Sequence, residues 1–374
     1  MMRLDRRYPP NGNINSWERG SPARRRRRLV ILTAVGVAAA LLFCGDRDGW
    51  AGAGRSLADP PRQRKKKLRA RLARRENDAM LLNLGNLTDD DSAKGPSSSS
   101  DADTPVYWHI YKAGGTTMRL LLFHCLGKAI PAGQGHENEK GLRIIDSWKH
   151  RFVNVDTSTI GGIERAGRMG LAQSGLAEVV FTPLVNKAVA EIFSPEYKGR
   201  LFALFRHPVD RLVSQYYYLQ YAGWEKTYDP GIAKMSLGAY ARLYGDRMMQ
   251  QLLDFPGPMT ERHLERAKEI IRTKCVVGLV DRAEESVRRF VSYFGWETEE
   301  SDQCITRNFA IGRNANAHRH PRVVEGTEEW NDVSKAMPWD IRLYEYVLSV
   351  YEEQGKQLGL LDRGVSSDEA SALS

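Results

Sequence analysis

Apolar positions beyond residue 103 fall into two patterns. Short, nearly unbroken runs occupy 106–111 (VYWHIY), 179–182 (VVFT), 201–205 (LFALF) and 275–279 (CVVGL), and their length and content predict buried strands. Between and after them, apolar residues return at three- and four-residue spacing over 117–126, 209–221, 237–244, 261–273, 283–294 and 339–358, which predicts helices. Strands alternating with helices predict an α/β domain: three layers, a mainly parallel sheet flanked by helices. In such sheets ligands bind beyond the carboxyl ends of the strands, and Lys112 and Arg206 each stand just past a run.

The first hundred residues follow other rules. Residues 29–44 (LVILTAVGVAAALLFC) carry no charge and follow five arginines, Arg24 to Arg28. At 16 residues the run is just short of the ~20 of a spanning helix; Gly45 extends it, and a short span suits a thin early-secretory membrane. The arginines put the N-terminus in the cytosol. The expectation is a single-pass type II anchor with a lumenal catalytic domain in the Golgi membrane. A cleaved signal peptide, with Ala51-Gly52-Ala53-Gly54 near the cut, and an organelle-targeting or soluble reading are the alternatives. The expected organisation is a basic cytosolic tail over 1–28, the anchor over 29–45 and a largely disordered stem over 46–102. The catalytic domain follows over 103–362 and a tail over 363–374. The stem holds the basic run 62–75, read as a solvated charged segment, the sequon Asn86-Leu87-Thr88, and a polar linker with Asp89 to Asp91 and Ser97 to Ser100.

Charge sharpens this division. The formal charge is +9, yet residues 1–100 hold 21 Lys and Arg against 10 Asp and Glu, and residues 101–374 hold 34 against 36. The domain has no basic excess, which argues against nucleic acid as a partner. Four cysteines (Cys44, Cys125, Cys275 and Cys304) show no zinc spacing. Outside the apolar run, three remain for one disulfide and one thiol. Cys275–Cys304 is the pair expected, with three buried thiols as the alternative.

Two segments carry chemistry. Trp108-His109-Ile110-Tyr111-Lys112-Ala113-Gly114-Gly115-Thr116-Thr117 reads strand, tight loop, helix start, and offers backbone N–H groups, a helix N-terminus and an ammonium to one anion. It is not a Walker A loop, GxxxxGK[ST], because the lysine precedes the glycines. That weakens a kinase or NTPase reading, as does the lack of a carboxylate cluster for magnesium. The second segment is Arg206-His207-Pro208-Val209-Asp210-Arg211-Leu212-Val213-Ser214. Pro208 can start a helix, Arg206 supplies a bidentate fork and Ser214, two turns on, a hydroxyl, together suited to a second phosphate.

YKAGGTT followed some 90 residues later by FRHPVDRLVSQYYY resembles the sulfotransferase family that uses 3′-phosphoadenosine-5′-phosphosulfate (PAPS). The nearer likeness is to membrane-anchored carbohydrate sulfotransferases, whose loop reads like H-x-P-K-x-G-G-T. The resemblance implies a P-loop NTPase-like sulfotransferase fold, PAPS as co-substrate with no metal, and sulfuryl transfer to a carbohydrate hydroxyl. Lys112, Ala113, Gly114, Gly115, Thr116 and Thr117 would hold the phosphosulfate, with Lys112 catalytic through the charge growing on the bridging oxygen. Arg206 and Ser214 would hold the 3′-phosphate. Val277-Gly278-Leu279 and Glu284-Glu285-Ser286 are similar to a family strand and helix behind the site. Two departures stand out. Tyr111 replaces the proline before the lysine, and Val179-Val180-Phe181-Thr182-Pro183 lacks the histidine that can serve as base in related enzymes.

The base is therefore unassigned, with His136, Glu225 and His150 as candidates. His109 reads as a buried imidazole that positions the loop, and His207 as support for the turn before Pro208. Tyr216 to Tyr218, Tyr221 and Trp224 read as core or cleft wall, with sugar stacking the sharper alternative. Arg307, Arg313, Arg319, Arg322, His318 and His320 form a basic loop that either closes over the nucleotide, meets an acidic glycan or is plainly solvated. A catalytically silent relative that binds glycans is the remaining rival; oligomeric state is open.

Overall fold

In the computed structural model the described residues are 103–357, apart from 134, 137, 148–149, 195, 221, 224–227 and 312–319. Chain order runs β1 (Thr104–Trp108), α1 (Gly115–His124), β2 (Ala129–Pro131), β3 (Ile144–Ser147), β4 (His150–Val153), α2 (Ile160–Arg168), α3 (Leu171–Ser174), β5 (Val180–Thr182), α4 (Val185–Ile192) and β6 (Gly199–Phe205). It continues through α5 (Pro208–Leu219), α6 (Pro230–Ala233), α7 (Leu237–Tyr244), α8 (Arg247–Leu253), α9 (Glu261–Lys274), β7 (Cys275–Leu279), α10 (Ala283–Tyr293), α11 (Glu299–Ala310), α12 (Glu328–Lys335) and α13 (Pro338–Gln357).

Four strands form one parallel sheet in the order β5-β1-β6-β7. Side chains alternate across it, as the two-residue strand period requires. Val106, Trp108, Leu201, Ala203, Phe205, Cys275 and Val277 enter one core with α2, α4, α8, α9 and α13. Tyr107, Phe202, Leu204 and Val276 enter the other with α1, α10 and α11. The near-continuous apolar runs follow from this burial on both faces. β7 ends the sheet, and Gln354 of α13 covers its edge, accepting from Val277 N–H at 2.9 Å and donating to the Cys275 carbonyl at 2.8 Å.

A buried polar knot fixes α5 to this frame. Asp340 accepts from the N–H groups of Met248 and Met249 at 2.9 and 2.8 Å, while Asp246 accepts from Trp339 and Asp340 N–H at 3.0 and 2.9 Å. The starts of α8 and α13 thus satisfy each other's orphan donors. Arg211 of α5 donates to Asp340 at 3.2 Å, with both side chains buried.

Three expectations are corrected. First, the single sheet is joined by a second one, β2-β4-β3, with β2 parallel and β3 antiparallel to β4. β2 is only three residues long, and the four-residue β3 and β4 carry polar residues, as in IIDS and HRFV, so no long apolar run announces them. Second, the disulfide joins Cys125 to Cys304, not Cys275 to Cys304. Cys275 is a buried, unpaired thiol in the core on the far side of the sheet from Cys125 and α11. Burial pushes that thiol's pKa up.

Third, the membrane-anchored type of likeness, the transmembrane signal anchor, the membrane as a partner and the Golgi placement are withdrawn. No helix among the described residues is long and apolar enough to cross a membrane. The 20-residue α13 carries Asp340, Arg342, Glu345, Glu352, Glu353 and Lys356. The run 29–45, the stem over 46–102 and the tail over 363–374 lie outside the described residues.

Candidate functional site

The strand expected over 106–111 stops at Trp108, and the helix expected from 117 begins at Gly115. The six residues between make a tight reversal. His109 N–H still reaches the Thr182 carbonyl at 2.8 Å, then Ile110 N–H turns back to Trp108 O at 3.0 Å and Ala113 N–H to Ile110 O at 3.2 Å. Lys112 and Gly114 both adopt left-handed backbone, φ 63° and 77°. Ile110 and Ala113 are anchored in the core, which leaves Lys112 and the start of α1 at the carboxyl end of β1. Gly114 caps α1 without a side-chain bond, and no acidic residue occupies the first turn. The first N–H groups of any helix lack intrahelical acceptors and favour an anion there.

Gly115 is needed for a different reason than Gly114. A Cβ on Gly115 would fall 2.1 Å from Cδ2 and Nε2 of His109, so the imidazole lies directly against the first residue of α1. Gly115→Ala must displace that ring. We expect a loss of about 1–3 kcal/mol in chemical denaturation, the usual cost of overpacking; unchanged stability would mean the ring does not pack there.

The second motif meets the first at the adjacent strand end. β6 lies beside β1, and Arg206, one residue past β6, donates from Nη1 to the Lys112 carbonyl at 3.4 Å. Burial lowers the Arg206 pKa, opposed by Asp210 and Asp281 nearby. His207 caps α5 by accepting from Val209 N–H at 3.3 Å and stacks on Trp330 at 4.9 Å, and Pro208 opens the helix. Ser214 lies two turns along α5 and is buried. The Lys112 ammonium sits over the Tyr218 ring, 4.2 Å from its centroid. Lys112, Ala113, Gly114, Gly115, Thr116 and Thr117 are therefore brought together in one turn, with Arg206 bonded to it and Ser214 on the helix that Arg206 leads into.

The base candidates separate. His136 hydrogen-bonds Glu139 at 2.9 Å, within a cluster that also holds Arg143 and Asn154. His150 meets His124 at 2.9 Å, and His124 closes α1, about 14 Å from Gly115 at 1.5 Å per residue. Glu225 lies outside the described residues, as do Tyr221, Trp224, Arg313, His318 and Arg319. Of the aromatic run, Tyr216 donates to Met235 O at 2.8 Å and packs on Tyr240, Tyr217 stacks on His320, and Tyr218 faces Lys112. Arg322 contributes positive charge beside Arg206, whereas Arg307 belongs to α11.

Two charged groups went unnoticed in the sequence: Arg119 and Asp156, which interact electrostatically. Arg119 is four residues past Gly115, so helical spacing alone places it on the face above His109; Asp156 is in a loop with no motif. Among the described residues no group of three or more His, Cys, Asp or Glu could hold a metal ion.

No family model and no curated protein matches this chain. Among solved structures it is similar to the mouse sulfotransferase SULT7A1 complexed with PAP, at 11% identity and TM-score 0.34, over 76% of this chain and 95% of that one, a likeness too slight to bear on the chemistry.

Proposed function

We propose that this α/β protein transfers a sulfuryl group from PAPS to a hydroxyl of a carbohydrate acceptor. The observation that carries the reading is the Arg206-to-Lys112 hydrogen bond, which joins two candidate anion-binding segments 94 residues apart at neighbouring strand ends. One anion pocket would suit many ligands; two, built on adjacent parallel strands, suit a nucleotide charged at both ends. In this reading the loop 112–117 receives the phosphosulfate, and Arg206 and Ser214 the 3′-phosphate. The acceptor oxygen attacks sulfur in line, and adenosine 3′,5′-bisphosphate (PAP) leaves with the electron pair of the broken S–O bond. Lys112 and the first-turn N–H groups of α1 stabilise charge on the departing oxygen.

The reading is tested by titrating the full chain with PAP and, separately, with ATP and Mg²⁺. The loop lacks the GK[ST] order that serves a magnesium nucleotide, so PAP is expected to bind at least about tenfold more tightly, a difference of about 1.4 kcal/mol. Preference for ATP would overturn it.

A further inference from the structure

Strand order gives the mouth of the parallel sheet two sides. β6 and Arg206 flank β1 on one side, where the nucleotide's 3′-phosphate would lie; β5 flanks it on the other. With the donor spanning β1 and β6, an acceptor approaching in line comes over β5. The side chains gathered there belong to several elements. The His109 ring lies 5.0 Å from Phe181 and 5.3 Å from Tyr111 by centroids, and against Gly115. Tyr111 is 41% exposed. Thr157 donates to the Phe181 carbonyl at 2.9 Å, which draws the loop bearing Asp156 to the same strand end, facing Arg119.

We infer that His109 accepts the proton of the attacking hydroxyl; this rests on the sulfuryl-transfer reading. Its imidazole borders the first residue of α1, where the phosphosulfate would sit, on the side from which the acceptor comes. In the step, the acceptor oxygen forms a bond to sulfur as the bridging S–O bond breaks. The hydroxyl proton passes to the imidazole, the electron pair leaves on the 5′-phosphate oxygen of PAP, and the imidazolium then releases its proton to water. Tyr111, exposed beside it, offers a ring on which a sugar can stack.

The charges around His109 fit the role. Burial first, then Arg119 and Lys112, push its pKa down to about 4, so the resting imidazole is neutral and able to accept. The groups facing it are Lys112 on the loop, Arg119 on α1 with Asp156 beyond it, and the Tyr111 phenol. A phosphosulfate in the loop sets negative charge against Lys112 and Arg119 and raises the imidazole toward the range where a base works well.

The test uses full-length wild type and His109→Gln. PAP affinity is read by calorimetry, and transfer is followed against pH with labelled PAPS and a mixture of desulfated glycans. We expect PAP affinity within about threefold of wild type, a turnover loss of about 100-fold, and disappearance of the acid limb of the pH–rate profile. Turnover within about threefold of wild type would overturn the assignment. So would a loss that only tracks PAP affinity, since that marks loop packing. Should His109→Gln fail to fold, His109→Asn is read the same way. Wild type that neither binds PAP nor transfers sulfate would remove the parent reading along with this one; wild type active with an equally active variant removes only His109.

Discussion

Replacing Lys112 by alanine is expected to lower turnover by about 10³-fold, or about 4 kcal/mol of transition-state stabilisation, while PAP still binds. The loop's backbone is closed by the Ile110 and Ala113 N–H bonds and by Arg206 on the Lys112 carbonyl, a bond any residue at 112 retains. The Lys112 ammonium lies over the Tyr218 ring, an interaction that holds the charge at the mouth of the site rather than in the core. Charge on the bridging oxygen grows only as the S–O bond breaks, so the loss belongs in kcat more than in donor affinity. Lys112→Gly separates chemistry from fold. With φ at 63°, a non-glycine residue here bears a left-handed strain of about 1 kcal/mol. The glycine variant should be at least as stable as wild type in denaturant and as inactive as Lys112→Ala. Turnover within about tenfold of wild type in either variant would end the charge-stabilising role.

What could be read in advance follows burial. Helix α7 (Leu237–Tyr244) and strand β7 (Cys275–Leu279) were predicted with their observed bounds, because α7 buries Leu237, Tyr240 and Ala241 at helical spacing and β7 is buried throughout. β3 and β4 escaped prediction because each is four residues long and splits into an apolar and a polar half, with no alternation to show a period. Helices α2 and α4 escaped as well: Gly161, Gly162 and Gly167 break the propensity signal in the first, although Gly162 and Gly167 are needed where Asp156 O and Glu191 O approach within van der Waals contact. At the site, lysine-before-glycine order and the Arg206 segment were visible as local chemistry. That Arg206 grips the Lys112 carbonyl and that His109 packs beside Phe181 follow from β1 lying between β5 and β6, and strand order has no local signature. The cysteine pairing failed for the same reason: nothing local in the chain shows that Cys275 and the helix bearing Cys304 stand on opposite faces of the sheet.

The corrected disulfide carries the largest expected effect on stability. Cys125 and Cys304 are separated by 179 residues, so their bond closes a loop that spans most of the parallel sheet. On the chain-entropy account a loop of that length restricts the unfolded state by about 5 kcal/mol. The native side of the balance is well placed to keep that gain, because Cys125 packs against the apolar cluster that α1 shares with α11, and Asn308 donates to the Cys304 carbonyl at 2.9 Å within the same turn. Cys304→Ser, or wild type in a thiol reductant, should therefore lose several kcal/mol in denaturant midpoint analysis. Cys275→Ala, deep in the other core, should lose only about 1–2 kcal/mol from its small cavity and should not respond to the reductant differently from wild type. Because α1 starts at the loop proposed to hold the phosphosulfate and Cys125 caps its other end, the reduced protein should also bind PAP less tightly at temperatures near its melting point. Coincident unfolding curves with and without reductant would show that the bond adds nothing, and would leave the junction of α1 and α11 to its apolar contacts alone.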